Sequence, residues 1–254
     1  MRRRFFVEGF ESNSAILLGE TAEHLGRVLR AEPGQLYELS DGQRVWLAKI
    51  ERVTLSKRDE SSIEFSLVEP ITSGSASEPT VAIHLLVSLI KFDRFEWCLE
   101  KATELGVTEI IPLLAARTDK PLAAAAAKRH ERWQRIVVES AQQSRRLRPP
   151  ILQAPIPPEN AFALYSSVDR KILLSERPTA APLASIIRSS ANASSLSAPT
   201  AAALAIGPEG GWTDAEFAAA GHAGFVEASL GENILRTETA VIASLAIVRF
   251  VYIP

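Results

Sequence analysis

The apolar pattern after Val81 is the feature that most restricts the fold of this chain. Short strand-like apolar runs alternate there with segments in which apolar residues recur every three or four positions. Alternation of this kind predicts an α/β domain in which helices pack on a sheet. The strand-like runs are residues 81–90, 107–114, 171–174, 202–206 and 224–230.

Two helices in this region are indicated by the spacing of their apolar residues. In the first, the apolar stripe runs from Phe92 to Leu105, and Gly106 follows at the position where glycine commonly ends a helix. The second helix covers residues 128–143, with Trp133 directed inward and the basic residues outward. Farther along, the low-complexity composition of residues 189–203 predicts a surface loop without chemistry.

The first 70 residues follow a different pattern. Short apolar runs are separated there by turn signals such as Pro33-Gly34 and Asp41-Gly42. We therefore expect a small β-rich domain at residues 1–70, a Ser-, Gly- and Pro-rich linker at residues 71–79, and the α/β domain at residues 80–254. The apolar runs of the first domain are residues 5–7, 15–18, 35–39, 45–50 and 63–68.

Composition excludes several classes of protein. A chain of 254 residues that is 46% hydrophobic can form a substantial core, so disorder is not expected. The single cysteine, Cys98, excludes an internal disulfide framework, and the four histidines lack metal-ligand spacing. No apolar stretch reaches the roughly 18 residues of a membrane span, and no secretory signal is recognisable at the N-terminus. We expect a cytoplasmic protein without a metal site or a membrane segment.

A basic segment from Arg117 to Arg148 departs from the net charge of −2. It contains nine Lys and Arg residues and three Asp and Glu residues, which is a local excess of six positive charges. Such an excess favours an anionic partner such as nucleic acid, because phosphate contacts supply most non-specific affinity. The alternative interpretation is a solvated helix face without a partner.

The stretch "IGPEGGWT", residues 206–213, contains three glycines within five positions. A phosphate-binding P-loop carries a lysine, whereas this stretch has Glu209, and a dinucleotide site has its glycines after the first strand, whereas these follow the fourth strand-like run. What remains is a turn whose backbone approaches something closely, because glycine has no Cβ. The alternative is a simple strand-to-helix connection. Thr213 and Glu216 fit a capping box, which predicts a helix start directly after Trp212.

A second motif, "SLGENILRTETAVIASLAIV", covers residues 229–248. It leaves a strand at Leu230-Gly231 and then enters a helix that is apolar nearly all round. A helix of this kind is either buried or covered by another chain.

These two motifs resemble the closing motifs of the bacterial 16S rRNA uridine-N3 methyltransferases, the RsmE group of the SPOUT superfamily. The segments "RRRFFV", "HLGRVLR" and "LSDG" are similar to the N-terminal PUA-like barrel of that family, and "KFDRFEWCLEKATELGVTEIIPLLAART" resembles the opening of its catalytic domain. The resemblance covers essentially the whole chain. The helix "VVESAQQSRRLRPP" matches more loosely, because Gln142 stands where the family has glutamate and Arg145 where it has a small residue.

The resemblance implies an α/β fold with a SPOUT-type trefoil knot, a small N-terminal PUA-like β-barrel and a homodimer. It also implies that S-adenosylmethionine (SAM) binds in the knot, between three segments of the chain. A glutamate-bearing turn without lysine suits the positive sulfonium of SAM, and Gly210 and Gly211 would let backbone amides reach it. The implied cofactor-binding residues are Leu174, Ser175, Glu176, Gly207, Pro208, Glu209, Gly210, Gly211, Leu230, Gly231, Ile234 and Leu235.

The implied reaction is methyl transfer from SAM to N3 of a uridine. Uracil N3 has to lose a proton before it attacks, and negative charge then spreads onto the ring carbonyls, so a fixed cation should help. Arg236 is the candidate for that cation, and its alternative role is an ion pair with Glu238 or with a carboxylate of a partner chain. Glu209 and Glu238 are equal candidates for positioning the base or accepting the proton.

The implied RNA partner is 16S rRNA, in the assembled small ribosomal subunit or another structured RNA. N3 lies on the Watson–Crick edge, so the target uridine has to be unpaired or extruded. Two alternatives stay open: a SPOUT enzyme acting on a ribose 2'-hydroxyl or another base, and a non-enzymatic RNA-binding assembly factor. The RNA-binding candidates are Arg2, Arg3, Arg4, Arg27, Arg30, Arg117, Gln143, Arg145 and Arg146.

Overall fold

The computed structural model describes residues 3–56, 60–72, 81–191 and 201–252. They fall into two compact units. The first, which we call the N-terminal unit, lies within Met1–Glu78 and Ala141–Pro149; the second, the C-terminal unit, lies within Pro79–Ser140 and Pro150–Pro254. Residues 141–149 thus group with the N-terminal region, in contrast to their expected place in a domain at residues 80–254.

The N-terminal unit contains a five-stranded sheet in which β1 pairs parallel to β3 and the other neighbours are antiparallel, in the order β1-β3-β4-β5-β2. Each of the five predicted apolar runs coincides with a strand. Side chains that alternate along these strands, such as Ala15 and Leu17, point into a core around Phe5 and Phe65. The strands are β1 (Arg4–Phe6), β2 (Ser14–Leu18), β3 (Leu36–Ser40), β4 (Val45–Thr54) and β5 (Ser62–Pro70).

A short helical segment connects β2 to β3. It consists of α1 (Gly19–Glu23) and one π-helical turn at His24–Val28. Leu25 is buried in the core of the unit, whereas Val28 is exposed. The motif "HLGRVLR" therefore lies on this segment.

The C-terminal unit contains a seven-stranded parallel sheet in the order β10-β12-β9-β11-β6-β7-β8. This confirms the predicted α/β class. Two of the strands, β8 and β10, are two residues long and were not predicted, so the glycine-rich turn follows the sixth strand of the unit. The strands are β6 (Ala82–Ser88), β7 (Glu109–Leu113), β8 (Ile151–Leu152), β9 (Arg170–Leu174), β10 (Ala181–Pro182), β11 (Ala201–Ile206) and β12 (Val226–Ser229).

Helices cover both faces of this sheet. Along β6, Leu85 and Val87 point into one core with the apolar residues of the two helices predicted from spacing, whereas Leu86 points into the opposite core with Phe162. A sheet that is buried on both faces needs apolar residues at consecutive positions, which explains the unbroken apolar runs of this region. The helices are α2 (Phe92–Glu104), α3 (Lys120–Gln143), α4 (Pro158–Leu164), α5 (Leu183–Ala191), α6 (Asp214–His222) and α7 (Thr237–Tyr252).

Several local predictions can be compared with these helices. Gly106 follows α2 with φ +84°, and Thr213 forms the predicted capping box with Glu216 at the start of α6. The helix expected at residues 128–143 begins earlier, because Pro121 and the alanines after it favour a helix start. The loop expected at residues 189–203 is wrong at both ends, since α5 continues to Ala191 and β11 starts at Ala201. The rest of that loop, residues 192–200, and residues 73–79 of the expected linker lie outside the described residues.

The apolar helix α7 is buried on one face only. Val241, Leu245 and Val248 lie in the core, whereas Phe250 is 86% exposed. Among the described residues, no helix combines the length and the apolar character that a membrane crossing requires.

Candidate functional site

A cavity of about 900 Å³ lies in the C-terminal unit at the carboxyl ends of β9, β11 and β12. Ligands of open parallel sheets characteristically bind at this end of the strands. Three segments form its walls: residues 174–178, 206–212 and 230–237. The structure brings together all twelve residues that the sequence proposed for the cofactor, since each of them lines this cavity.

The three walls are tied to one another by hydrogen bonds. Trp212 Nε1 donates to the main-chain carbonyl of Leu174 at 3.0 Å, and Thr237 Oγ1 donates to the carbonyl of Gly207 at 3.2 Å. The indole also packs on the turn, because a Cβ added to Gly207 would lie 3.0 Å from the ring. Glycine at this position thus makes room for Trp212.

Glycine is required by the backbone conformation of the turn. Gly211 has φ +71°, a conformation that side-chain-bearing residues rarely adopt, and its N–H donates to the carbonyl of Pro208 at 2.8 Å. The Gly211 N–H is therefore used within the turn, and the expectation that Gly210 and Gly211 let backbone amides reach SAM stays a prediction. Gly210 stays a candidate for such a contact.

Arg117 supports the turn from outside. Its Nη1 donates to the carbonyl of Gly210 at 2.7 Å and to that of Trp212 at 3.4 Å. The sequence proposed Arg117 as an RNA contact, but the structure places it on the wall of the cavity. Because Arg117 is exposed, its RNA contact stays a prediction beside its observed contact with the turn.

The two candidate carboxylates are both close to one arginine that sequence reasoning missed. Arg94 Nη1 lies 2.6 Å from Glu209 Oε1, and Arg94 Nε lies 3.8 Å from Glu238 Oε1. Glu209 lines the main cavity, whereas Glu238 borders an adjoining hollow together with Trp97. The second oxygen of Glu238, Oε2, is buried and has no hydrogen-bond partner among the described residues.

A signal for Arg94 was present in the sequence. It lies in the first turn of α2, directly after β6, and β6 pairs with β11, the strand that leads into the glycine-rich turn. Side chains that follow neighbouring parallel strands meet at the same edge of a sheet. This rule would have placed Arg94 near Glu209.

Arg236 lines both the cavity and the adjoining hollow and is exposed. Its alternative role was an ion pair with Glu238, but in this structure that carboxylate pairs with Arg94. Within the described part of the chain, the Arg236 side chain forms no hydrogen bond or ion pair. Its catalytic role stays a prediction.

Arg177 is a second cavity residue that sequence reasoning missed. Its guanidinium lies 3.5 Å from the ring centroid of Phe217, and it pairs with Asp214 at 2.6 Å and with Glu227 at 3.7 Å. The stack of Arg177 on Phe217 forms a flat wall of the cavity.

The cysteine near the site is not a nucleophile. Cys98 is fully buried in α2, and burial raises the pKa of its thiol to about 12, with a further contribution from the negative charge of Glu238. Since the thiolate is the reactive form, Cys98 stays protonated and acts in packing.

The RNA-binding candidates include one residue that the structure rules out. Arg4 is fully buried: its Nε and Nη2 donate to Glu38 Oε2 at 3.2 and 2.9 Å, and its Nη1 donates to the carbonyl of Arg145 at 2.6 Å. Arg4 therefore holds residues 141–149 in the N-terminal unit and is not available to phosphate. Arg2 lies outside the described residues.

The other RNA-binding candidates of the N-terminal unit are at least partly accessible. Arg27 pairs with Glu23 at 3.0 Å, and the side chain of Arg145 lies 3.6 Å from Glu38. Arg145 and Arg30 both have positive φ, at 56° and 52°. The candidates with exposed or intermediate accessibility in this unit are Arg3, Arg27, Arg30, Gln143, Arg145 and Arg146.

Part of the basic segment is neutralised by ion pairs. Arg129 and Arg132 both pair with Glu96 of α2, at 3.4 and 2.8 Å, and Arg135 pairs with Glu131 at 2.7 Å. Because Glu96 lies outside the segment from Arg117 to Arg148, counting charges within that segment overstated its excess. For these arginines of α3, the structure favours the solvated helix face.

Comparison with known proteins identifies the family. A family model described as an RNA methyltransferase domain matches residues 77–249. The ribosomal RNA small subunit methyltransferase E of Synechocystis sp. is 34% identical over 88% of this chain and 68% of its own length. The protein of the same name from Bacillus subtilis is 30% identical over 98% of this chain and 96% of its own.

Solved structures agree with this result. The crystal structure of a ribosomal RNA small subunit methyltransferase E from Neisseria gonorrhoeae bound to SAM has a TM-score of 0.81 and 30% identity, and the match covers 99% of this chain and 98% of that one. A methyltransferase from Legionella pneumophila in complex with SAM has a TM-score of 0.82 and 28% identity, with 98% of each chain covered. The chain therefore belongs to the RNA methyltransferase family that includes the ribosomal RNA small subunit methyltransferases E.

Proposed function

We propose that this protein is a SAM-dependent methyltransferase that methylates N3 of a specific uridine in 16S rRNA. The observation that carries the proposal is the single cavity formed by the glycine-rich turn and residues 174–178 and 230–237. Relatives with this name, and similar structures that contain SAM, support the substrate class and the cofactor.

The cavity fits SAM in size and chemistry. Its volume of about 900 Å³ falls within the range of small-molecule sites, roughly 300–1,000 Å³. Glu176, which has no ion-pair partner among the described residues, supplies negative charge for a sulfonium, whereas the charge of Glu209 is balanced by Arg94. Leu174 and Ile206 supply apolar surface. When bound, SAM supplies an electrophilic methyl group, so the residues of this chain only need to orient the reactants and stabilise charge. A metal ion has no part in this proposal, because the sulfonium already activates the methyl group.

Arg236 stabilises the charge that develops on the uracil. The N3 proton leaves, N3 bonds to the methyl carbon as the carbon–sulfur bond breaks, and the negative charge of the deprotonated ring rests on its carbonyl oxygens in the transition state. An exposed guanidinium that borders the cavity and has no carboxylate partner in the described residues suits this task. Glu209 and Glu238 remain the candidates for accepting the proton.

The finer architecture belongs to the same proposal. The N-terminal sheet is a PUA-like barrel at residues 1–70 that binds RNA, residues 71–79 link it to the catalytic domain at 80–254, and the catalytic domain is a SPOUT domain with a trefoil knot. The return of β12 to the side of β9 opposite β11 supports the knot, because it brings three distant segments together. The RNA-binding candidates other than Arg4 hold a structured, locally unpaired RNA of the small subunit in the cytoplasm.

We further propose that the active form is a homodimer. The exposed Phe250 of α7 and Trp97 of α2, which is 42% exposed, are large apolar side chains on two helices that pack together. A second copy would remove them from water. Sedimentation of the purified protein tests this: a dimer at micromolar concentration is expected, and a monomer at all concentrations contradicts it.

The decisive experiment incubates the protein and labelled SAM with small subunits from a strain that lacks this activity, followed by mass spectrometry of the modified nucleoside. We expect 3-methyluridine at one position. A methyl group on a ribose 2'-hydroxyl or another base would assign a different acceptor to the same cavity, and the absence of SAM binding by calorimetry would favour a non-enzymatic assembly factor.

A further inference from the structure

Arg94 joins the two carboxylates of the candidate site. Its Nη1 is 2.6 Å from Glu209 Oε1 in the glycine-rich turn, and its Nε is 3.8 Å from Glu238 Oε1 in the first turn of α7. The Arg94 side chain is 29% exposed and borders both the cavity and the adjoining hollow. One guanidinium therefore balances two negative charges from separate segments.

Arg236 borders the same two carboxylates but pairs with neither. It shares the cavity with Glu209 and the hollow with Glu238. Charge-assisted hydrogen bonds are roughly twice as strong as neutral ones, so an arginine that borders the same cavity and hollow as two carboxylates is a competitor for their charge. Among the described residues, Arg94 is the cation that pairs with both carboxylates, whereas Arg236 pairs with neither.

The burial of Glu238 increases the need of its carboxylate for a cation, which is either Arg94 or Arg236. Glu238 Oε2 is buried without a hydrogen-bond partner, and Arg94 is the cation that pairs with Glu238 Oε1, among the residues that the structure describes. A partly buried carboxylate that loses its counter-ion is strongly destabilised and takes the nearest available cation. With Arg94 removed, Arg236 is the remaining cation among the described residues that border the hollow beside Glu238.

We infer that Arg94 is a positioning residue for methyl transfer: by holding Glu209 and Glu238, it keeps Arg236 unpaired and available to the target base. The inference rests on the proposed role of Arg236. It assigns Arg94 no contact with the methyl group or with the uracil. Its effect is to prevent an ion pair that would withdraw the catalytic cation.

Two double-mutant cycles test this inference. Arg94→Gln is expected to lower kcat about tenfold, because an ion pair withdraws Arg236, while the Kd for SAM measured by calorimetry changes much less. In a Glu238→Gln or Glu209→Gln background, Arg94→Gln should cost clearly less, because the competing carboxylate has lost its charge. Coupling in either cycle supports the inference, and additive effects in both overturn it. If one glutamate variant is inactive, that glutamate is the proton acceptor of the proposed function, and the cycle in the other glutamate background decides.

Matched variants separate positioning from a purely structural role. Arg94→Lys keeps the positive charge and should retain most of kcat. Lys101→Gln removes another cation of α2 that two carboxylates share, Glu100 at 2.7 Å and Glu104 at 2.9 Å, away from the cavity, and should leave kcat unchanged. If Arg94→Gln only weakened packing, the loss would be the same in all backgrounds.

The turnover of an Arg236→Ala variant distinguishes a failure of this inference from a failure of the proposed function. An inactive Arg236→Ala variant together with additive Arg94 cycles would remove the role of Arg94 and leave the proposed function intact. An Arg236→Ala variant with full turnover would remove the proposed role of Arg236 and, with it, this inference.

Discussion

The indole Nε1 of Trp212 donates a hydrogen bond to the main-chain carbonyl of Leu174, with 3.0 Å between the two atoms. This bond connects the end of the glycine-rich turn to the end of β9, two segments that are 38 residues apart in the chain. The shape of the cavity thus depends on one side chain that is itself almost fully buried.

Trp212→Phe is expected to weaken SAM binding several-fold. The substitution keeps an aromatic ring and loses one buried hydrogen bond, which costs about 1 kcal/mol. Isothermal titration calorimetry with SAM measures the change. Trp133→Phe is the matched control, because Trp133 is equally buried but its Nε1 has no hydrogen-bond partner in the described residues. An equal effect of the two substitutions would contradict a special role for Trp212.

Gly207→Ala is expected to lower SAM affinity more than Trp212→Phe. The new Cβ would lie 3.0 Å from the Trp212 ring, which is closer than real Cβ contacts normally come, so the indole has to move. Gly221→Ala in α6 is the control, because a Cβ there meets nothing within 4 Å and alanine favours the helix. Calorimetry and thermal unfolding of both variants check this, and unchanged SAM affinity of Gly207→Ala would refute the packing argument.

Arg236→Ala is expected to abolish turnover while SAM affinity falls little. Removal of one fixed group that stabilises charge in the transition state lowers the rate by a factor on the order of 10²–10³. Single-turnover methylation of small subunits and SAM calorimetry on the same preparation separate the two effects. Turnover equal to that of the unmodified protein would refute the assignment.

Arg146→Ala is expected to weaken RNA binding and to flatten its salt dependence. Each phosphate contact that is lost lowers the slope of log affinity against log salt by about one. Filter binding of ribosomal RNA fragments at several salt concentrations provides the slope. Arg188→Ala serves as control, since Arg188 is an exposed arginine of α5 outside the cavity and the basic segment. Equal slopes for both variants would remove Arg146 from the RNA interface.

Glu109→Gln is expected to reduce the loss of stability in acid. A hydrogen bond from His84 holds the pKa of Glu109 at about 2, hydrogen bonds from Tyr165 and Gln153 act in the same direction, and burial opposes them. Because the pKa is lowered on folding, this stabilisation is present above the ordinary value of about 4.5 and is lost as the pH falls from there towards 2. Urea unfolding between pH 5 and pH 3 should show a steeper decline for the unmodified protein. Parallel curves would refute the argument.

Features set by neighbouring residues were predictable from the sequence. The capping box of Thr213 and Glu216 depends on residues three positions apart, and Gly106 follows directly after the helix that it ends. The strands of the parallel sheet were predicted where their apolar runs are long. β8 and β10 were missed, because two residues are too few to show any periodicity.

Sequence reasoning missed side-chain roles that depend on contacts between residues far apart in the chain. Arg4 resembled its exposed neighbours until its partner, Glu38, was found 34 residues away. Arg94 received no role, because the glutamate that it binds is 115 residues further along the chain. The family motifs indicated which segments form the cavity, but the side chains that brace those segments lie outside the motifs.

The late return of β12 beside β9 has a consequence for biosynthesis. The third wall of the cavity, residues 230–237, and the helix behind it are translated after every other part of the site. A nascent chain that ends before residue 230 still has the glycine-rich turn but lacks this wall, so ligand binding cannot assist the early stages of folding. SAM in the cell therefore stabilises only the finished polypeptide.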